Sequence, residues 1–149
     1  MKKRKYLLVS PNTLEAVTYF AEKFNITVQE ATDSLLRKSL YQMTGIRLEQ
    51  LKGAKAIRKA FKDIDSPKKR KDMRLRLQLP KDIEQALVVS PDLHLAITEY
   101  ARIKAITIHE ATFFLLRDQI GWQFGLYRDQ PRDKEIVIKA FKYFNDVEL

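Results

Sequence analysis

The chain opens with a short apolar run, "YLLV" (Tyr6–Val9), that ends at Ser-Pro, and a second run, "ALVV" (Ala86–Val89), ends the same way. Each predicts a strand. Ser10 or Ser90 then serves as N-cap, and Pro11 or Pro91 suits the first helical position. Helix A follows, with Leu14, Val17, Phe20, Ala21 and Phe24 at the three-and-four spacing of one buried face. It stops at "FNIT", where Asn25 tolerates the left-handed conformation that ends helices. "TVQE" and "TIHE" come next, both capping boxes, with Thr27 or Thr107 at the N-cap and Glu30 or Glu110 reaching back. Helix B runs to about Met43 or Phe124 and buries Ala31, Leu35, Leu36 and Leu40, with Gly45 and Gly125 closing the two copies. A third helix, around Ala54–Ile64 and Lys134–Phe144, carries the shared "KAFK".

These elements recur because the chain is written twice. Sliding it against itself by eighty residues gives 21 identities in the 56 positions from Leu7 to Lys62, without a gap. The pattern is that of a tandem duplication. It divides the chain into a first repeat (1–65), a basic junction (66–76) and a second repeat (77–149, with its strand starting as early as 73). Eighty residues are few for a self-sufficient core, so the two copies are expected to pack on each other. Four glycines, five prolines and 45% hydrophobic residues in 149 describe a folded, helix-rich protein. There are no cysteines, which excludes disulfides, thiolate metal sites and cysteine nucleophiles. The apolar runs are too short for a membrane span. The start "MKKRKYLLVSPN" lacks an export-type apolar region and reads as part of the fold. The expected location is cytoplasmic, at a nucleoid or in a host cytoplasm.

The net charge of +9 is unevenly placed. Residues 1–65 carry 13 Lys/Arg against 7 Asp/Glu, the junction 6 against 1, and residues 77–149 carry 9 against 11. Positive charge therefore sits in the first copy and the junction. Concentrated basic charge meets phosphate; the alternative is a solvated, lysine-rich surface.

Strand, helix, sharp turn, helix, behind a basic start, resembles the ribbon-helix-helix family of prokaryotic, plasmid and viral DNA-binding proteins. The resemblance spans residues 3–43 and is carried by "RKYLLVSPNTLEAVTYFAEKFNITVQEATDSLLRKSL". It implies two strands paired into an antiparallel ribbon that enters the major groove, with the start of helix B holding a backbone phosphate. Here the duplication would supply both halves in one chain. The expected fold is thus mainly α with short β-strands: two tandem ribbon-helix-helix-like repeats, each with an extra C-terminal helix, packed as an intrachain pseudo-dimer. A generic helix-turn-helix is the alternative. The expected partner is double-stranded DNA, with further self-association on it, and no membrane.

Helix N-termini expose unpaired N–H groups and the positive end of the dipole, so Thr27, Val28, Thr107 and Ile108 are candidate phosphate contacts. Lys2, Lys3 and Lys5 at the start, and Lys68, Lys69, Arg70 and Lys71 in the junction, add cations. The strand period of two turns Leu7 and Val9 inward and Arg4, Tyr6 and Leu8 outward. Arg4 and Tyr6 are candidate base contacts. The matching face of copy two offers only Glu84, Ala86 and Val88. Just upstream, "RLRLQL" (Arg74–Leu79) sets Arg74, Arg76 and Gln78 opposite three leucines. Arginine on guanine and glutamine on adenine are standard pairings, so these three are the preferred base readers of the second half. The alternative is an amphipathic edge strand with its charges toward water.

No enzyme is expected, and no metal or cofactor. His109-Glu110 begins like H-E-x-x-H, but Phe113 stands where the second histidine is required. No glycine-rich phosphate loop or Ser-His-Asp arrangement is apparent, and His94 takes the place of Leu14 on a packed helix face. A second function class is a protein-binding regulator, antitoxin-like or a decoy, docking a partner on the third-helix stripe of Ile57, Ala60, Phe61 and Ile64.

Overall fold

A computed structural model of the chain describes residues 5–64, 85–125, 135–136 and 139–140. The expected strands form, β1 at Lys5–Val9 and β2 at Gln85–Val89. Each leads into a helix through its serine: Ser10 Oγ accepts the Thr13 N–H and Ser90 Oγ the Leu93 N–H, both at 3.2 Å. With proline at the first helical position, α1 runs Pro11–Lys23. After α3 and β2, α4 runs Pro91–Lys104.

The sharp turns are built alike. Asn25 (φ 56°) and Ala105 (φ 58°) adopt the left-handed conformation. The next N–H reaches back a full turn, from Ile26 to the Ala21 carbonyl at 2.9 Å and from Ile106 to Ala101 at 3.0 Å. Such bonds satisfy carbonyls the helix end would otherwise leave open. Helix α2 (Val28–Thr44) then starts at the Thr27 capping box and stops at Gly45, whose φ of 78° lets its N–H meet the Tyr41 carbonyl. A single 3-10 turn at Leu48–Gln50 and Gly53 lead to α3, Ala54–Lys62. In the second segment α5 runs Ile108–Gly125. Of the expected last helix, Glu135, Ile136, Lys139 and Ala140 are described, and all four are helical.

The chain is mainly helical with one small two-stranded antiparallel sheet among the described residues. Its register sets Leu7 opposite Leu87, Tyr6 opposite Val88 and Leu8 opposite Ala86. The strand facing β1 is therefore the one eighty residues on. Leu7, Val9, Leu87 and Val89 are buried, as strand alternation requires.

The packing crosses between the segments. Helix α2 packs most extensively on α5, β1 lies on α5, and β2 lies on α2. Helix α3 docks on α4, not on its own α1, and buries Ile57 and Phe61 completely. The second segment answers in kind: Lys139 Nζ is 3.0 Å from Glu15 Oε1 on α1, and Ala140 is buried. One continuous core results, running through Leu35, Leu36 and Leu40 of α2 and Leu115, Leu116 and Ile120 of α5. Phe24 departs from its expected place in the helix A core. It is 52% exposed and lies against Phe20, ring centroids 4.6 Å apart, because the helix ends at Lys23 and the chain has already begun to turn. No helix among the described residues is long and apolar enough to cross a membrane.

Candidate nucleic-acid interface

The outer face of the sheet is set by the same register that buries the inner one. It carries Tyr6 and Leu8 from β1, facing Val88 and Ala86 from β2. Tyr6 is 57% exposed and offers a phenol. The other three are alkyl groups, with nothing to give a base edge beyond contact with a thymine methyl. Lys5 is exposed at the start of β1. It lies close enough to His94, at the start of α4, to depress that imidazole's pKa, adding to the larger effect of partial burial.

The two helix-B starts are built as the sequence requires and differ in one respect. At α2 the Thr27 N–H donates to Glu30 Oε1 at 2.9 Å, and the Glu30 N–H donates to Thr27 Oγ1 at 3.0 Å. At α5 the corresponding distances for Thr107 and Glu110 are 2.8 and 3.1 Å. The box already satisfies the Thr27 and Thr107 N–H groups. The donors left to an incoming phosphate are the next two of each helix, at Val28 and Gln29 or at Ile108 and His109. Glu30 is fully exposed, and hydrogen bonds from the Thr27 backbone and then its side chain hold its carboxyl below the usual range. Glu110 is buried. A phosphate at α2 thus meets a carboxylate in open water, whereas at α5 the carboxylate is covered.

Of the residues named from sequence, Lys5, Tyr6, Thr27, Val28, Thr107 and Ile108 are placed on strand β1 and the two helix-B starts. Lys2, Lys3, Arg4, Lys68, Lys69, Arg70, Lys71, Arg74, Arg76 and Gln78 lie outside the described residues. The position opposite β1 that "RLRLQL" was preferred for is filled by residues 85–89, in the register of the repeat.

A second polar region has no counterpart in the sequence reading. Where the later turns of α2 and α5 meet, a cleft of about 350 Å³ opens, with Arg37, Lys38, Tyr41 and Arg47 on one side and Gln119 and Gln123 on the other. Gln119 is 1% exposed, and its Oε1 has no hydrogen-bond partner. The signal that could have found it is a glutamine in "FFLLRDQI", three residues after Leu116 and on the same helix face. Compared with known proteins, the chain matches no family model, no curated protein and no solved structure.

Proposed function

We propose that this chain is a sequence-specific double-stranded DNA-binding protein, a transcriptional regulator of plasmid, viral or prokaryotic type. In this reading a tandem duplication supplies both halves of a ribbon-helix-helix-like unit, and the two repeats form an intrachain pseudo-dimer. The observation that carries the reading is the strand register. Leu7 opposes Leu87, eighty residues away, so equivalent strands pair about a shared centre. The crossed packing of α3 on α4 and of Lys139 on Glu15 is what a two-fold relation between repeats would require. The basic first segment and junction supply phosphate contacts, together with the starts of α2 and α5.

Base reading falls unevenly on the two halves. On the first strand it belongs to Tyr6, with Arg4 just before the described residues. In the second half β2 presents Ala86 and Val88, so polar readout there is left to Arg74, Arg76 and Gln78, acting from beside the ribbon. The protein-docking alternative gains nothing from the fold, because Ile57 and Phe61 of its stripe are buried against α4.

The test is selection from random duplex, followed by mutant affinities for the recovered site and for random DNA at one fixed salt. Arg76→Ala should lower the ratio of specific to non-specific affinity, by about 1–3 kcal/mol for a lost bidentate pair. Lys69→Ala should weaken both alike, since a phosphate contact carries no sequence information. An unchanged ratio for Arg76→Ala, with a fall for Tyr6→Ala, would confine base reading to the ribbon itself.

A further inference from the structure

The cleft between the later turns of α2 and α5 lies outside the proposed ribbon contacts, and its chemistry is specific. Three cations line it, Arg37, Lys38 and Arg47, against one carboxylate, Glu49. Arg37 turns its Nε to both oxygens of Asp33 at 2.9 Å, which leaves its terminal nitrogens without a printed tie to that carboxylate. Arg47 is held over the Tyr41 ring, 4.7 Å from the centroid, with Nη2 donating to the phenol oxygen at 3.4 Å. Tyr41 itself is 44% exposed. Across the cleft, Gln119 is the most buried lining residue, and its side-chain carbonyl goes unpaired. An unpaired buried acceptor is costly in a native fold and calls for a partner.

We propose that this cleft binds a purine mononucleotide. Its volume falls in the range of small-molecule sites. The cations match a terminal phosphate, the arginine forks in bidentate fashion. The half-exposed Tyr41 ring offers a face to a planar base. The glutamine amides supply the paired donor and acceptor that an adenine edge takes. Because lining groups come from both α2 and α5, the bound nucleotide clamps the helix pair that joins the two segments.

Adenosine 5′-monophosphate, adenosine and inorganic phosphate are the probes, titrated into the full chain by calorimetry and followed by thermal unfolding. The nucleotide is expected to bind and to raise Tm in a concentration-dependent way. Adenosine and phosphate should each bind at least about tenfold more weakly, since each lacks one set of contacts. Gln119→Leu replaces an unpaired polar atom by an apolar group of similar shape. It should leave the free protein as stable or more so, and weaken the nucleotide about tenfold while sparing phosphate. Arg47→Ala, a surface change, should weaken nucleotide and phosphate together.

The proposal is overturned by no binding at millimolar nucleotide, by a nucleotide no better than phosphate, or by an unchanged affinity in both variants. Competition by a duplex of any sequence would also overturn it, reassigning the three cations to a phosphodiester backbone. None of these outcomes except the last depends on DNA binding, so this site and the proposed ribbon fail separately.

Discussion

Asp33 and Ser34 sit half-exposed on α2, whereas Phe113 and Phe114, eighty residues on in α5, are 4% and 7% exposed. The same contrast runs through the two segments. Tyr6 faces outward on one strand and Ala86 on the other; Lys38 on one helix matches Asp118 on the other. Inward positions do the opposite. Leu7 and Leu87, Val9 and Val89, Ala31 and Ala111, Leu35 and Leu115, and Leu36 and Leu116 are identical and buried. A close-packed interior feels the change of a single methylene, while a surface position is free to vary. The comparison teaches that packing holds the two halves alike, and that chemistry is what separates them. The first half has the cations and the phenol; the second has become apolar and mildly acidic.

The largest expected effects test the shared interior. Leu35→Ala and Leu115→Ala should each cost about 2–5 kcal/mol in denaturant unfolding, within one cooperative transition. Two separable transitions, or a cost confined to one variant, would mean that the halves do not share a core.

Next come the helix starts. Thr27→Ala and Thr107→Ala should each lose about 0.5–2 kcal/mol, with Thr107→Ala the more costly. The reason is the position of the acid. Glu30 can turn to water, but Glu110 is buried and loses a donor it cannot replace from solvent. Equal losses would show that burial of Glu110 adds nothing to the box.

Much of this was legible in the sequence because it is local. Ser-Pro, Thr-x-x-Glu and the apolar spacing fix strand ends, caps and buried faces within a few residues of themselves, and all of these appear where expected. What a face packs against is another matter. Periodicity marks Ile57 and Phe61 as buried, but it cannot say that α4 of the other segment covers them. Nor did it foresee Gln119, since a polar side chain in an apolar run says nothing of its surroundings. Ala105 is a third case. Asn25 advertises a left-handed turn and alanine does not, yet the backbone bonds of the turn impose φ 58° on Ala105. Such a conformation costs an ordinary L-residue about 1–2 kcal/mol.

That strain gives the third prediction. Ala105→Gly should raise stability by a net of about 0.5–1 kcal/mol, and Ala105→Asn, which copies the first segment, should also raise it. A loss in both would show that the turn is not where the second segment stores strain.

The smallest effect is on pH dependence. His94 takes the place of Leu14, and burial followed by the Lys5 charge lowers its pKa from the model value of 6.5. The folded state thus binds the proton less readily than the unfolded chain. Stability should fall as pH drops through that unfolded value, and go on falling until the folded pKa is passed. His94→Leu, restoring the first segment's residue, should flatten this slope between pH 7 and 5 in matched thermal melts. An identical slope in the two proteins would remove His94 from the account.

The central claim, that two unlike halves form one DNA-binding unit, is tested most directly by the salt dependence of binding to a selected duplex. With around six phosphates neutralised, affinity should fall about a thousandfold between 50 and 200 mM salt. No binding to any duplex at the lower salt, or binding that barely responds to salt, would contradict it.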